Sequence, residues 1–175
     1  MKKIVGLSML LFLLSSGLTS CHSKYDVNVK NVPWEIKMGI NYYGDRSLMV
    51  EFTNNSDFTI TELSIEFSLK DNNKDKDMES FYSYMVSNYD LDKDDENKLR
   101  TEGISMSAWA YLDEDEYLKK GEKIEESLNF GWYFIKTMDY VDLFQPDMYA
   151  ISYLDVSGEE KTIYYDYINK EYTLH

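Results

Sequence analysis

Cysteine occurs once in this 175-residue chain, at Cys21, and histidine twice, at His22 and His175. A single thiol leaves no intrachain disulfide and no cysteine metal cluster, so the fold must rest on its hydrophobic core. Histidines confined to the neighbourhood of Cys21 and to the final residue, where chains are usually poorly ordered, give a Ser-His-Asp arrangement or a histidine zinc site nowhere to form. Positive charge is also scarce, with 18 basic residues against 32 acidic ones and a formal charge of −14. A domain this acidic repels nucleic acid and anionic headgroups, which excludes DNA binding. Long apolar runs are missing too: the stretch from Ile4 to Leu14 breaks at Ser15, Ser16 and Gly17, short of the roughly 20 residues a membrane-spanning helix needs.

What that stretch does supply is the order of an export signal. Lys2 and Lys3 come first, then the apolar residues, then small and polar ones up to Leu18-Thr19-Ser20-Cys21. The tetrad resembles the lipobox of bacterial lipoproteins. The resemblance covers the first twenty-one residues and implies that Cys21 receives a diacylglyceryl group and becomes residue one of the mature chain. Residues 1–20 are then a signal peptide, 21–32 a lipidated tether, and 33–175 a folded domain on the extracytoplasmic face of the cell membrane. Each buried lipid methylene contributes about 0.8 kcal/mol, so two acyl chains hold durably where one does not.

The rest reads as strands. High aromatic content, 16 Tyr, 8 Phe and 3 Trp, suits half-buried pleated surfaces and argues against disorder. Trp34, Ile36, Met38, Ile40 and Tyr42 alternate with Glu35, Lys37, Gly39 and Asn41. After a turn at Gly44 and Asp45 the alternation repeats at Leu48, Val50 and Phe52; after a turn at 54–57 it repeats at Leu63, Ile65, Phe67 and Leu69. Three consecutive antiparallel strands are expected. Met78, Phe81, Tyr82, Met85 and Tyr89 form a helical stripe, and a polar helix is expected from about Asp92 to Glu102, with Asp92 as its cap. Together they make a helical insertion at about 78–102.

Ile104, Met106, Ala108, Ala110 and Leu112 alternate with Trp109 and Tyr111, as in a strand covered on both faces, and the Met78–Tyr89 stripe is the expected cover. Another strand follows the turn at Lys120 and Gly121, through Ile124, Glu126, Leu128 and Phe130. One or two helical turns over 137–144 should end at Pro146. A last hairpin pairs Tyr149, Ile151 and Tyr153 with Ile163, Tyr165 and Tyr167 across Ser157 and Gly158. Six to eight such strands predict a mainly β chain, a β-sandwich with a helical insertion. The segment from Trp34 to Leu69 resembles the opening strands of immunoglobulin-like domains in surface lipoproteins, which implies that form of the sandwich.

Three constellations invite chemistry. Asp71, Asn73, Asp75 and Asp77 have the spacing of a calcium loop, but Lys76 and Tyr82 stand where an EF-hand needs glycine and glutamate; Asp90, Asp92 and Asp94 fail in the same way, with Asp95 and Thr101. The run Asp113, Glu114, Asp115, Glu116 reads as an exposed loop. Tyr42 with Tyr43, and Tyr164 with Tyr165 and Tyr167, place aromatics on both strand faces, one as core and one as a recognition surface or as ground for the helix. No catalytic residue, cofactor or metal ligand is expected. The reading is a lipid-anchored binding module for a protein partner, basic to suit the acidic surface. A carboxylate-dependent envelope hydrolase and a low-affinity calcium binder are the alternatives.

Overall fold

Alternation of apolar and polar residues builds two antiparallel sheets that share one core. The computed structural model describes residues 26–101, 104–131 and 133–175. Strand β1 (Trp34–Ile40) pairs with β2 (Arg46–Thr53), and β5 (Lys123–Ser127) pairs with the other edge of β2. The second sheet has seven strands. In chain order they are β3 (Thr59–Leu69), β4 (Ser105–Tyr111), β6 (Asn129–Phe130), β7 (Tyr133–Phe134), β8 (Phe144–Leu154), β9 (Glu160–Asp166) and β10 (Glu171–Leu174). Across the sheet the order is β10-β9-β8-β3-β4-β6-β7. The chain is therefore mainly β, with two packed antiparallel sheets compatible with a sandwich.

The inward residues of the two sheets meet directly. Leu48, Val50 and Phe52 of β2 join Leu63, Ile65 and Phe67 of β3, Tyr149 and Ile151 of β8, and Ile163 of β9 in one buried cluster. Phe52 stacks on Tyr149 at 5.9 Å, and Trp34 meets Phe67 edge-on at 5.2 Å. Leu128 carries the chain from β5 in one sheet to β6 in the other, donating its N–H to the Leu48 carbonyl at the corner.

Several expectations are corrected here. The first three strands do not form one meander: β3 leaves β2 and pairs with β4 and β8. Asn54 explains the departure, because its buried side chain donates to the carbonyls of Phe58 and Leu118, both at 2.8 Å, and turns the chain into the other sheet. The first strand ends at Ile40 rather than Tyr42. The Asn41 Oδ1 accepts from the N–H groups of Tyr43 and Asp45, closing a turn on Gly44 at φ +83° that leaves Tyr42 and Tyr43 outside the sheet. Pro146 ends no helix: one short helical turn at Val141–Leu143 precedes β8, and Pro146 lies within that strand opposite Phe67, where the register shifts and a missing N–H is tolerated.

The segment 27–32, expected to lie outside the folded domain, packs on its core. Val27 and Val32 are fully buried, Val32 accepts a hydrogen bond from the Tyr149 hydroxyl at 2.9 Å, and the Val29 N–H donates to the Tyr172 hydroxyl at 3.3 Å. Apolar residues at 27, 29 and 32 drew this segment into the core. The chain end is ordered as well, since Thr162 and His175 exchange backbone hydrogen bonds and extend β10.

Two helices occupy the insertion, α1 (Asp75–Tyr89) and α2 (Lys93–Thr101). Asp92 caps α2 by accepting from the N–H groups of Asp94 and Asp95. Arg100 ties α2 to α1 through Glu79 and lies 4.4 Å over the Tyr82 ring. The α1 stripe packs on the segment around 133–144. Phe81 meets Tyr140 and Phe144, the Tyr84 hydroxyl accepts from the Lys136 N–H, and the Tyr89 hydroxyl donates to the Phe134 carbonyl. It does not cover β4, whose outer residues Trp109 and Tyr111 are 65% and 76% exposed.

Candidate functional site: the uncovered face of the large sheet

Side chains two apart on a strand share a face, so the register defines what the seven-stranded sheet presents outward. One row runs Trp109 (β4), Ser64 (β3), Ala150 (β8), Tyr164 (β9), each the pairing partner of the next. The row beside it runs Tyr111, Glu62, Ser152, Thr162, and the row on the other side contains Ser107, Glu66 and Met148. Small residues on the two middle strands thus lie between aromatic rings on the outer ones. A cavity of about 370 Å³ results, lined by Glu62, Ser64, Trp109, Ala150, Tyr164 and their neighbours. Trp109 and Tyr164 stand three strand spacings apart, about 14 Å between backbones.

Local contacts hold these groups in place. The Trp109 indole N–H donates to Glu62 Oε1 at 2.6 Å, which fixes the ring. The hydroxyls of Ser152 and Thr162 lie 2.8 Å apart, and Tyr164 meets the His175 ring edge-on at 5.3 Å. Glu66 is exposed, and its carboxylate has no hydrogen bond or ion pair among the described residues. The lining includes two carboxylates and no lysine or arginine. Such a surface offers π faces, hydroxyls and negative charge, which suits recognition of a polar or cationic ligand.

The outer side of the small sheet contrasts with it because its central charges pair with one another. Lys37 bonds Glu51 at 2.5 Å and Glu125 at 2.6 Å, and Lys123 completes the pairing of Glu51. Hydrogen bonds from Lys123 and Lys37 hold the Glu51 carboxyl below the usual range. Asp155, in the β8–β9 turn, is held lower still by Lys161 at 2.5 Å and by the Ser157 hydroxyl and backbone N–H. Carboxyls with depressed folded values add stability above their unfolded value of about 4 and lose it as the pH falls toward the folded one. Glu126 has the opposite sign, since burial raises it and acidification relieves that penalty. We expect the melting temperature to fall between pH 5 and pH 2. Asp155→Asn should lower it at pH 7 and shrink the fall, measured by calorimetry; an unchanged fall would refute the Asp155 contribution.

The residues singled out from the sequence are scattered. Asp75 and Asp77 occupy the first turn of α1, Asn73 donates to the Leu143 carbonyl, Asp92 is used as a helix cap, and residues 113–116 form an exposed turn. Among the described residues no group of three or more His, Cys, Asp or Glu could hold a metal. Tyr165 and Tyr167 turn inward against the core while Tyr164 turns outward. Tyr42 and Tyr43 project from the β1–β2 turn, where Tyr43 touches Phe134. Cys21 and His22 lie outside the described residues. Sequence reading missed Glu62, Ser64, Glu66, Ser107, Ala150, Ser152 and Thr162 as a group. Their signal was the polar phase of each strand, and only the pairing register shows that the phases coincide on one face.

The fold and this face define a mainly β protein of two antiparallel sheets with an uncovered aromatic surface. The chain matches no protein family, no curated protein and no solved structure.

Proposed function

We propose that the protein is a lipid-anchored binding module on the extracytoplasmic face of the cell membrane, holding a protein partner of basic character on the outer face of its large sheet. The observation that carries the reading is the exposure of Trp109 and Tyr111 on a strand whose alternate residues Met106, Ala108 and Ala110 are core. Large aromatic side chains left uncovered beside a cavity are what interaction surfaces use. Acylation of Cys21 supplies the membrane attachment, and no helix among the described residues is long and apolar enough to cross a membrane. With packing already begun at Val27, the spacer from Cys21 onward reaches about 20 Å at most. The immunoglobulin-like form of the sandwich belongs to the same proposal, supported by the two antiparallel sheets.

Binding is favoured over carboxylate-dependent hydrolysis by the acids on this face. Glu62 and Glu66 are the two acids lining the cavity, and Glu62 is engaged by the Trp109 indole N–H, whereas glycoside hydrolysis needs two carboxyl groups free to flank the scissile bond. Two experiments test the proposal. Metabolic labelling with radioactive palmitate should mark the wild-type chain, and Cys21→Ser should abolish both label and membrane recovery; an unlabelled wild type removes the anchor. A photo-cross-linking residue at the exposed Ser107 or Tyr111 should form adducts with envelope proteins in living cells, and one at the exposed Glu35 of the small sheet should not. Equal adducts at all three positions would remove the assignment of the face.

A further inference from the structure

The row Trp109–Ser64–Ala150–Tyr164 has a shape as well as a charge. Its middle positions, Ser64 and Ala150, carry small side chains, so a ligand approaches the sheet closely between the rings. The backbone gap of about 14 Å admits a single peptide chain, extended or helical, since a helix is about 10–12 Å across. Every charge lining that gap is negative, and the exposed acidic turn at 113–116 follows directly from β4. Glu62 holds the indole by one oxygen, and Glu66, exposed and unpaired among the described residues, offers a full carboxylate two positions beyond Ser64.

Resting on the proposed use of this face, we infer that its occupant is a basic peptide segment whose lysine or arginine side chains lie over the Trp109 ring and pair with Glu62 and Glu66. A cation over an indole face is attracted by the ring quadrupole, and an adjacent carboxylate adds a charge-assisted hydrogen bond. The serine and threonine hydroxyls of the floor are left to meet the peptide backbone. Complementary charge also speeds encounter and disfavours acidic partners.

The test uses the full chain in detergent, with a lysine octapeptide, a glutamate octapeptide and a neutral glucose hexasaccharide as probes and nuclear magnetic resonance as readout. The lysine peptide should bind saturably, shift the Trp109 indole N–H and the Ser64, Ala150 and Tyr164 amides, and weaken as salt rises. The glutamate peptide should shift nothing. Glu62→Gln with Glu66→Gln keeps an acceptor for the indole and removes both charges, so affinity should fall about tenfold, in line with two exposed ion pairs. Neutralising Asp113, Glu114, Asp115 and Glu116 is the control for bulk acidity and should cost less. Lysine-peptide binding equal in the Glu62/Glu66 variant and the wild type overturns the inference, as does the hexasaccharide moving those resonances while the lysine peptide does not. Cross-linking separates the two proposals. Adducts at Ser107 and Tyr111 that persist undiminished in the Glu62/Glu66 variant keep the surface and overturn the cationic occupant, whereas the absence of adducts together with no peptide binding overturns both.

Discussion

Phe52→Ala should lower the free energy of unfolding by about 3–5 kcal/mol, the range for removing a buried aromatic ring. Phe52 is fully buried at the junction of the sheets and stacks on Tyr149, whose hydroxyl holds the Val32 carbonyl. Truncation opens a cavity there and loosens the segment 27–32 along with the sheets. Melting temperature should drop by about 6–20 °C at this chain length. Trp109→Ala is the matched comparison, since it removes a larger side chain from an exposed position and should cost well under half as much. Urea unfolding of both variants measures the contrast; similar costs would mean that the sheets do not close over Phe52.

Asn54→Ala is expected to cost about 2–3 kcal/mol although it deletes only a carboxamide. The side chain is fully buried and donates to the carbonyls of Phe58 and Leu118, while its oxygen accepts from the N–H and hydroxyl of Ser56. Removal leaves the buried Ser56 N–H without its acceptor and takes one of two donors from the Phe58 and Leu118 carbonyls at the point where β2 hands over to β3. The Ile60 and Leu118 amides, which exchange hydrogen bonds with each other's carbonyls, should lose protection in hydrogen exchange. Asn55→Ala, at the exposed neighbour, should be close to neutral. Equal effects at 54 and 55 would refute the side chain's role in steering the chain.

The strands themselves were legible because a half-buried strand writes its two faces into alternate positions. Met106, Ala108 and Ala110 are buried and Trp109 and Tyr111 exposed on β4, and Tyr149 and Ile151 do pair with Tyr165 and Ile163. Helix α1 was visible for the same reason, through a stripe at a different period. Its destination was not. A stripe of Phe81, Met85 and Tyr89 states that something apolar must be covered, and either Trp109 or the aromatic segment ending at Phe144 satisfied that demand. Contacts of Phe81 with Tyr140 and Phe144 settled the choice and left β4 bare.

By itself the sequence determined the acidic character of the chain, its scarcity of cysteine and histidine, the alternation that makes most of its strands, and the lipobox-like tetrad ending at Cys21. Those are properties of single residues or of neighbours along the chain. Tertiary structure alone decided that β3 joins the larger sheet, that residues 27–32 belong to the core, and that β10 closes the chain by pairing with β9. It also decided that the polar phases of β3, β4, β8 and β9 line one cavity. The reason is that pairing and register join residues far apart in the chain: a local pattern records whether a side chain wants burial, while what it is buried against depends on which of several compatible partners the whole chain can reach at once.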